Sequence, residues 1–193
     1  MNKLGMFKTE LGMLKNQNYL EDYKYLIEHL PDYFFVIPAA STGKYHPSYT
    51  VGDGGLVRHT KAAVKIAYDL LANPSIGAKY TSTEQDLMLI ALTIHDGFKS
   101  GVVKGQYTVT EHPLLVGEYI RNNKDNLHFT ASEIDFLCKV IASHMGPWNT
   151  DYKGNVVLPK PTTKYESFVH MCDYLASRKA ILFKFDEDGQ IVE

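Results

Sequence analysis

Three Thr-x-x-Glu boxes, Thr81–Glu84, Thr130–Glu133 and Thr163–Glu166, each stand in front of an apolar run, and they constrain the fold more than any other feature of the chain. In such a box the threonine hydroxyl and the glutamate carboxylate satisfy each other's backbone N–H groups, so each box fixes where a helix starts. The spacing predicts helices from the boxes to about Asp96, to about His144 and to about Lys179. Two further helices are expected, from about Leu56 to Ala72 after Gly54-Gly55, and from about His112 to Asn123. The run Leu87-Met88-Leu89-Ile90-Ala91-Leu92 is apolar all round and reads as the central buried helix.

The rest of the chain fits one mainly α domain. Its 193 residues suit a single domain, and 45% hydrophobic with 22% charged residues is ordinary globular composition. A helical N-terminal extension is expected over about 1–44, with Leu20, Tyr23, Leu26, Ile27 and Leu30 on one face before Pro31. Residues from Pro38 to Gly55 read as a loop. A core follows over about 45–179, and a hairpin closes the chain over about 180–193. A second small hairpin is expected over 152–158. The formal net charge of −2 gives no general attraction to a long polyanion. Cys138 and Cys172 lie at apolar helical positions and read as packed, reduced thiols. The first residues lack the apolar stretch of a signal peptide, and no run approaches the ~18 apolar residues of a membrane span. A cytoplasmic protein with no membrane partner is expected.

Eight histidines are many for such a chain, and three of them, His59, His95 and His144, stand where solvent-facing residues are not expected. His59 falls on the inward stripe Leu56, Ala63, Ile66, Ala67, Leu70. His144 continues the face of Ile134, Leu137 and Ile141. Asp173 sits among Val169, Cys172 and Ala176, and His95-Asp96 ends the most apolar helix. His112 opens the helix that follows. A buried carboxylate is costly unless it finds a partner. Each residue alone has a structural explanation, such as a hydrogen-bonded core histidine or a helix-capping aspartate. Together, imidazoles and carboxylates aimed at one interior suit Mn, Fe, Co, Ni or Zn. His29, His46, His128 and His170 read as surface or loop residues, with His170 a candidate to support a ligand.

The ordered set resembles the HD-domain metal-dependent phosphohydrolase superfamily. It comprises Gly55-Leu56-Val57-Arg58-His59-Thr60, then His95-Asp96-Gly97-Phe98-Lys99, then Glu111-His112-Pro113 with Val116-Gly117. Ser143-His144-Met145-Gly146 and the closing helix Val169 to Ser177, with His170 and Asp173, complete it. The resemblance spans about Tyr45 to Lys179. It is closest to the six-ligand, dinuclear type found in small stand-alone bacterial and phage proteins and in 3′-to-5′ exoribonucleases. Those nucleases carry an OB-type module where this chain's first 45 or so residues read helical.

The resemblance implies an all-α bundle around two divalent metal ions. It assigns one ion to His59, His95, Asp96 and Asp173, and the other to His112 and His144 with Asp96 bridging. His112 and His144 should then lie side by side on the open side of the Asp96 site. The implied activity is hydrolysis of a nucleotide or short oligonucleotide by a metal-bound hydroxide, as a phosphodiesterase before a monophosphatase, with Asp96 and Lys99 catalytic. Deoxynucleoside triphosphate hydrolysis and di-iron oxygenation are the alternatives the same fold offers. Lys99 either neutralises phosphate or is a solvated helix-end lysine. Arg58 either contacts phosphate or faces solvent. Trp148 either stacks a base or plugs the domain's edge. Lys160, Lys164, Arg178 and Lys179 form either a basic rim or an ordinary solvated surface.

Overall fold

The computed structural model describes residues 1–40 and 46–192; the expected start of the core near Tyr45 lies outside the described residues. Among the described residues the chain is mainly helical. Two short helices, α1 (Lys3–Met6) and α2 (Lys8–Leu11), precede α3 (Leu20–Glu28). After the loop come α4 (Gly55–Ala72), the single turn α5 (Pro74–Gly77), α6 (Ser82–Ile94), α7 (His112–Asn122), α8 (Ala131–Ala142) and α9 (Lys164–Ala176). The strands β1 (Lys184–Phe185) and β2 (Ile191–Val192) pair antiparallel, Lys184 opposite Val192 and Phe185 opposite Ile191. The expected hairpin over 152–158 is reduced to one bridge between Thr150 and Val156.

All three boxes close as predicted. Thr81, Thr130 and Thr163 each accept from the backbone N–H three residues on, and each glutamate side chain reaches back to the cap's N–H. At the start of α4 the device is different. Gly54 sits at φ +69°, and a Cβ on Gly55 would fall 2.1 Å from the Thr50 carbonyl oxygen. The glycine pair lets α4 begin pressed against the preceding loop, which aims its first turns, and His59 with them, at the interior.

Helix α6 is the axle of the bundle. Every residue from Gln85 to Ile94 is buried, and α6 packs against α3, α4, α8 and α9. In addition, α4 packs on α9, α7 on α8 and α8 on α9. The C-terminal ends of α6, α8 and α9 and the first turns of α4 and α7 carry the six inward residues. Cys138 and Cys172 are free and buried. No helix among the described residues is long and apolar enough to cross a membrane.

Candidate metal centre

The helices stop just short of the residues they deliver. Helix α6 was expected to reach Asp96, but it ends at Ile94, and His95 and Asp96 occupy the first turn beyond it; α8 ends at Ala142, and His144 lies in the turn that follows. His95, His112 and His144 each turn Nδ1–H back onto the carbonyl three residues earlier, at 2.6 Å to Leu92, 2.7 Å to Val109 and 2.8 Å to Ile141. A carbonyl only accepts, so Nδ1 carries a proton and Nε2 is the ring nitrogen turned to the interior. That is how imidazole ligands to a metal are oriented.

The six side chains converge. His59 Nε2 lies 2.8 Å from Asp173 Oδ1, and His95 Nε2 lies 3.3 Å from the same oxygen. Asp96 divides its two oxygens between different rings. Oδ2 faces His95 at 3.5 Å and His59 at 4.0 Å, whereas Oδ1 faces His112 at 2.9 Å and His144 at 3.8 Å. The rings of His112 and His144 stand 5.3 Å apart. His59, His95, Asp96, His112 and His144 are all buried, and Asp173 is partly buried. His59, His95 and Asp173 form one group whose ligand atoms lie within 4.8 Å of one another, and His95, Asp96 and His144 form a second.

Charge and hydrogen bonding fit a cation. Burial works against ionisation of Asp96, but Lys99, His95 and His112 outweigh it and hold the carboxyl well below its usual range. Burial likewise opposes ionisation of Asp173, and His59 and His95 overcome it. Burial, with the neighbouring His95, pushes the His144 imidazole down to about 3, so it is neutral at pH 7 as a ligand must be. Four buried atoms of the cluster, His59 Nδ1, His95 Nε2, His112 Nε2 and Asp96 Oδ1, have no hydrogen-bond partner. His112 Nε2 and Asp96 Oδ1 approach closely without the alignment of a hydrogen bond. Buried polar atoms left unsatisfied are costly, and three of these, His95 Nε2, His112 Nε2 and Asp96 Oδ1, lie within the cluster, where bound cations would relieve them. The residues present therefore fit a metal centre.

The other predicted residues divide. Lys99 lies in the turns beyond α6 rather than at a helix end, and its Nζ is 2.5 Å from Asp96 Oδ2. Trp148 lines the same cavity of about 380 Å³ as His59, Asp96, Lys99, His144 and Asp173. His112 is fully buried and does not line it, so of the two histidines expected on the open side only His144 faces the cavity; the ring of His112 is packed against Asp96 in the interior. Arg58 is not brought to the cavity. Its guanidinium donates to the carbonyls of Tyr49 and Val51, at 2.5 and 3.0 Å, and so pins the loop before α4. Of the four surface cations, only Arg178 reaches the cavity wall. His46, Met145 and Tyr174 also line it, and sequence periodicity had no means of placing them there. His170 donates from Nδ1 to the His144 carbonyl at 2.6 Å and thus buttresses a ligand-bearing turn. A larger cavity, about 540 Å³ between α7, α8 and the start of α9, contains none of the six side chains; its size alone gives it no chemistry.

No protein-family profile, curated protein or solved structure matches the chain.

Proposed function

We propose that the chain is a metal-dependent phosphohydrolase of the HD-domain type, acting as a phosphodiesterase on a nucleotide or short oligonucleotide. The observation that carries this reading is the split of Asp96 between two histidine pairs, with buried and unpartnered nitrogens on both sides. His59, His95, Asp96 and Asp173 would hold one divalent ion, and His112 and His144, sharing Asp96, a second. When bound, such ions supply Lewis-acid polarisation of a phosphoryl oxygen and a water acidic enough to ionise near neutral pH.

The chain's own groups do the rest. The Nδ1 bonds of His95, His112 and His144 fix ring orientation before any ligand arrives, so little reorganisation is left for the reaction. Lys99 is held by Asp96 through one of its three ammonium protons, leaving donors for phosphate charge that develops in the transition state. Arg178 adds a second cation to the wall. Trp148 and Tyr174 give the cavity an apolar side, the mixture expected of a site for a small organic phosphate. The motif resemblance favours a diester over a monoester.

The test is metal analysis coupled to hydrolysis of bis(p-nitrophenyl) phosphate by purified protein. Two ions per chain at saturation, turnover restored by Mn²⁺ after chelation, and none in chelator are expected. Full turnover by metal-free protein, or no ion retained, would overturn the reading.

A further inference from the structure

Trp148 does not plug the edge of the bundle, because it is 53% exposed. It is nevertheless firmly placed. Its N–H donates to the Met145 carbonyl at 3.1 Å, and its ring lies 15° from parallel to Tyr174 with centroids 5.8 Å apart. The loop that carries it is braced on both sides. Gly146 takes φ +58°, and a Cβ there would fall 2.2 Å from His170 Cε1, so only glycine lets that imidazole lie against the loop. Beyond Trp148, Asn149 is buried, its Nδ2 donates to Leu158 O at 3.0 Å, and its own carbonyl accepts from Val157 N–H at 2.9 Å.

Next to this pair lies an available charge. The Arg178 guanidinium stacks on Tyr174, with Cζ 4.3 Å from the ring centroid, and Nη2 donates to Ser177 Oγ at 2.7 Å. No carboxylate pairs with it among the described residues. Trp148, Tyr174 and Arg178 line the same cavity as Asp96 and Lys99. An apolar face kept in water, and kept rigid, beside a polar cavity is poised for a flat aromatic ligand. Order already present in the loop need not be created on binding.

We propose that Trp148, backed by Tyr174, is a nucleobase seat, and that Arg178 is a phosphate-facing cation beside it. The site would then select a nucleoside phosphate, free or at the end of a short single strand. The proposal rests on the phosphohydrolase reading for the placement of the reacting phosphate, but not for the base seat. Stacking on an aromatic residue is tolerant of base identity, so all four common bases should be accepted.

Trp148 is the single tryptophan of the chain, so fluorescence excited at wavelengths that tyrosine does not absorb reports on this face alone. Purified full-length protein is titrated with AMP, GMP, CMP, UMP, ribose 5-phosphate and a trinucleotide. Saturable quenching by the four nucleotides is expected, with ribose 5-phosphate competing but not quenching. A trinucleotide that binds more tightly than the monomers supports a strand end, and equal binding supports a single nucleotide. Trp148→Ala should raise KM for a dinucleotide about tenfold or more, and Trp148→Phe should recover most of it. Hydrolysis of bis(p-nitrophenyl) phosphate without nucleotide quenching would overturn the base seat and leave the phosphohydrolase reading standing. Quenching without any metal-dependent turnover would do the reverse. Equal quenching by ribose 5-phosphate would also overturn the seat.

Discussion

Asp96 faces more of the cluster than any other side chain, and its neighbours show why substitution should be asymmetric. One oxygen meets His112 and His144 and the other meets Lys99, His95 and His59. Asp96→Ala removes a ligand from both proposed ions at once. It should lower turnover by more than the roughly 10–100-fold that residues supporting a ligand typically cost, and lower metal content in parallel. Elemental analysis alongside rate measurement checks both. Lys99→Ala should separate the two effects. It leaves the six ligands intact, so metal content should hold while turnover on bis(p-nitrophenyl) phosphate falls; loss of metal together with rate would show that Lys99 acts only by holding Asp96. Five of the inward residues, His59, His95, Asp96, His144 and Asp173, were legible because each sat at a helical position or helix end where solvent-facing side chains are not expected; His112, at a helix start, was marked only by the motif resemblance. Arg58 was not, since adjacency to His59 says nothing about which way a long side chain runs. Here the bare carbonyls of a loop at Tyr49 and Val51 claim it.

At the scale of elements, helix starts were legible, as were the ends of α4 and α7, whereas α6, α8 and α9 stop at Ile94, Ala142 and Ala176, short of the expected Asp96, His144 and Lys179. A start carries its own chemistry in the threonine and glutamate of the box, and removing it has a known cost. Thr163→Ala should destabilise the protein by about 1 kcal/mol in denaturant unfolding, through loss of the hydroxyl that accepts from Glu166 N–H. Just beyond the ends of α6 and α8 the side chains of His95 and His144 fold back onto the carbonyls of Leu92 and Ile141, contacts that periodicity does not encode. The loop before α4 shows a related limit. A turn after Pro38 was readable from its glycines and prolines, but the closeness of Gly55 to the Thr50 carbonyl was not. Gly55→Ala places a methyl 2.1 Å from that oxygen. It should cost on the order of 1–3 kcal/mol, the usual range for overpacking, and urea unfolding of the variant measures it.

For the molecule as a whole, Lys61 ties the chain's two ends to α4, and nothing in the pattern of α4 marks it. Lys61 has no exposed surface, and Glu10 only 2%. Its Nζ lies 2.8 Å from Glu10 Oε2, 2.7 Å from the Met6 carbonyl and 2.9 Å from Gln190 Oε1. A helical wheel reads one lysine on an otherwise apolar face as a side chain reaching toward water. Only the tertiary structure shows the short N-terminal helices and the C-terminal hairpin closing over it. Burial lowers the ammonium's pKa and the Glu10 carboxylate opposes that shift, so the pair is electrostatically coupled. Breaking such a pair from one side leaves a buried charge uncompensated, which typically costs about 3–5 kcal/mol. Lys61→Met should therefore be strongly destabilising in urea unfolding. Lys61→Met with Glu10→Leu should lose much less, because the second change removes the stranded carboxylate, and packing can replace a buried ion pair at little net cost. A double variant as unstable as the single one would show that the bonds to Met6 and Gln190, which anchor the two ends, matter more than the ion pair itself.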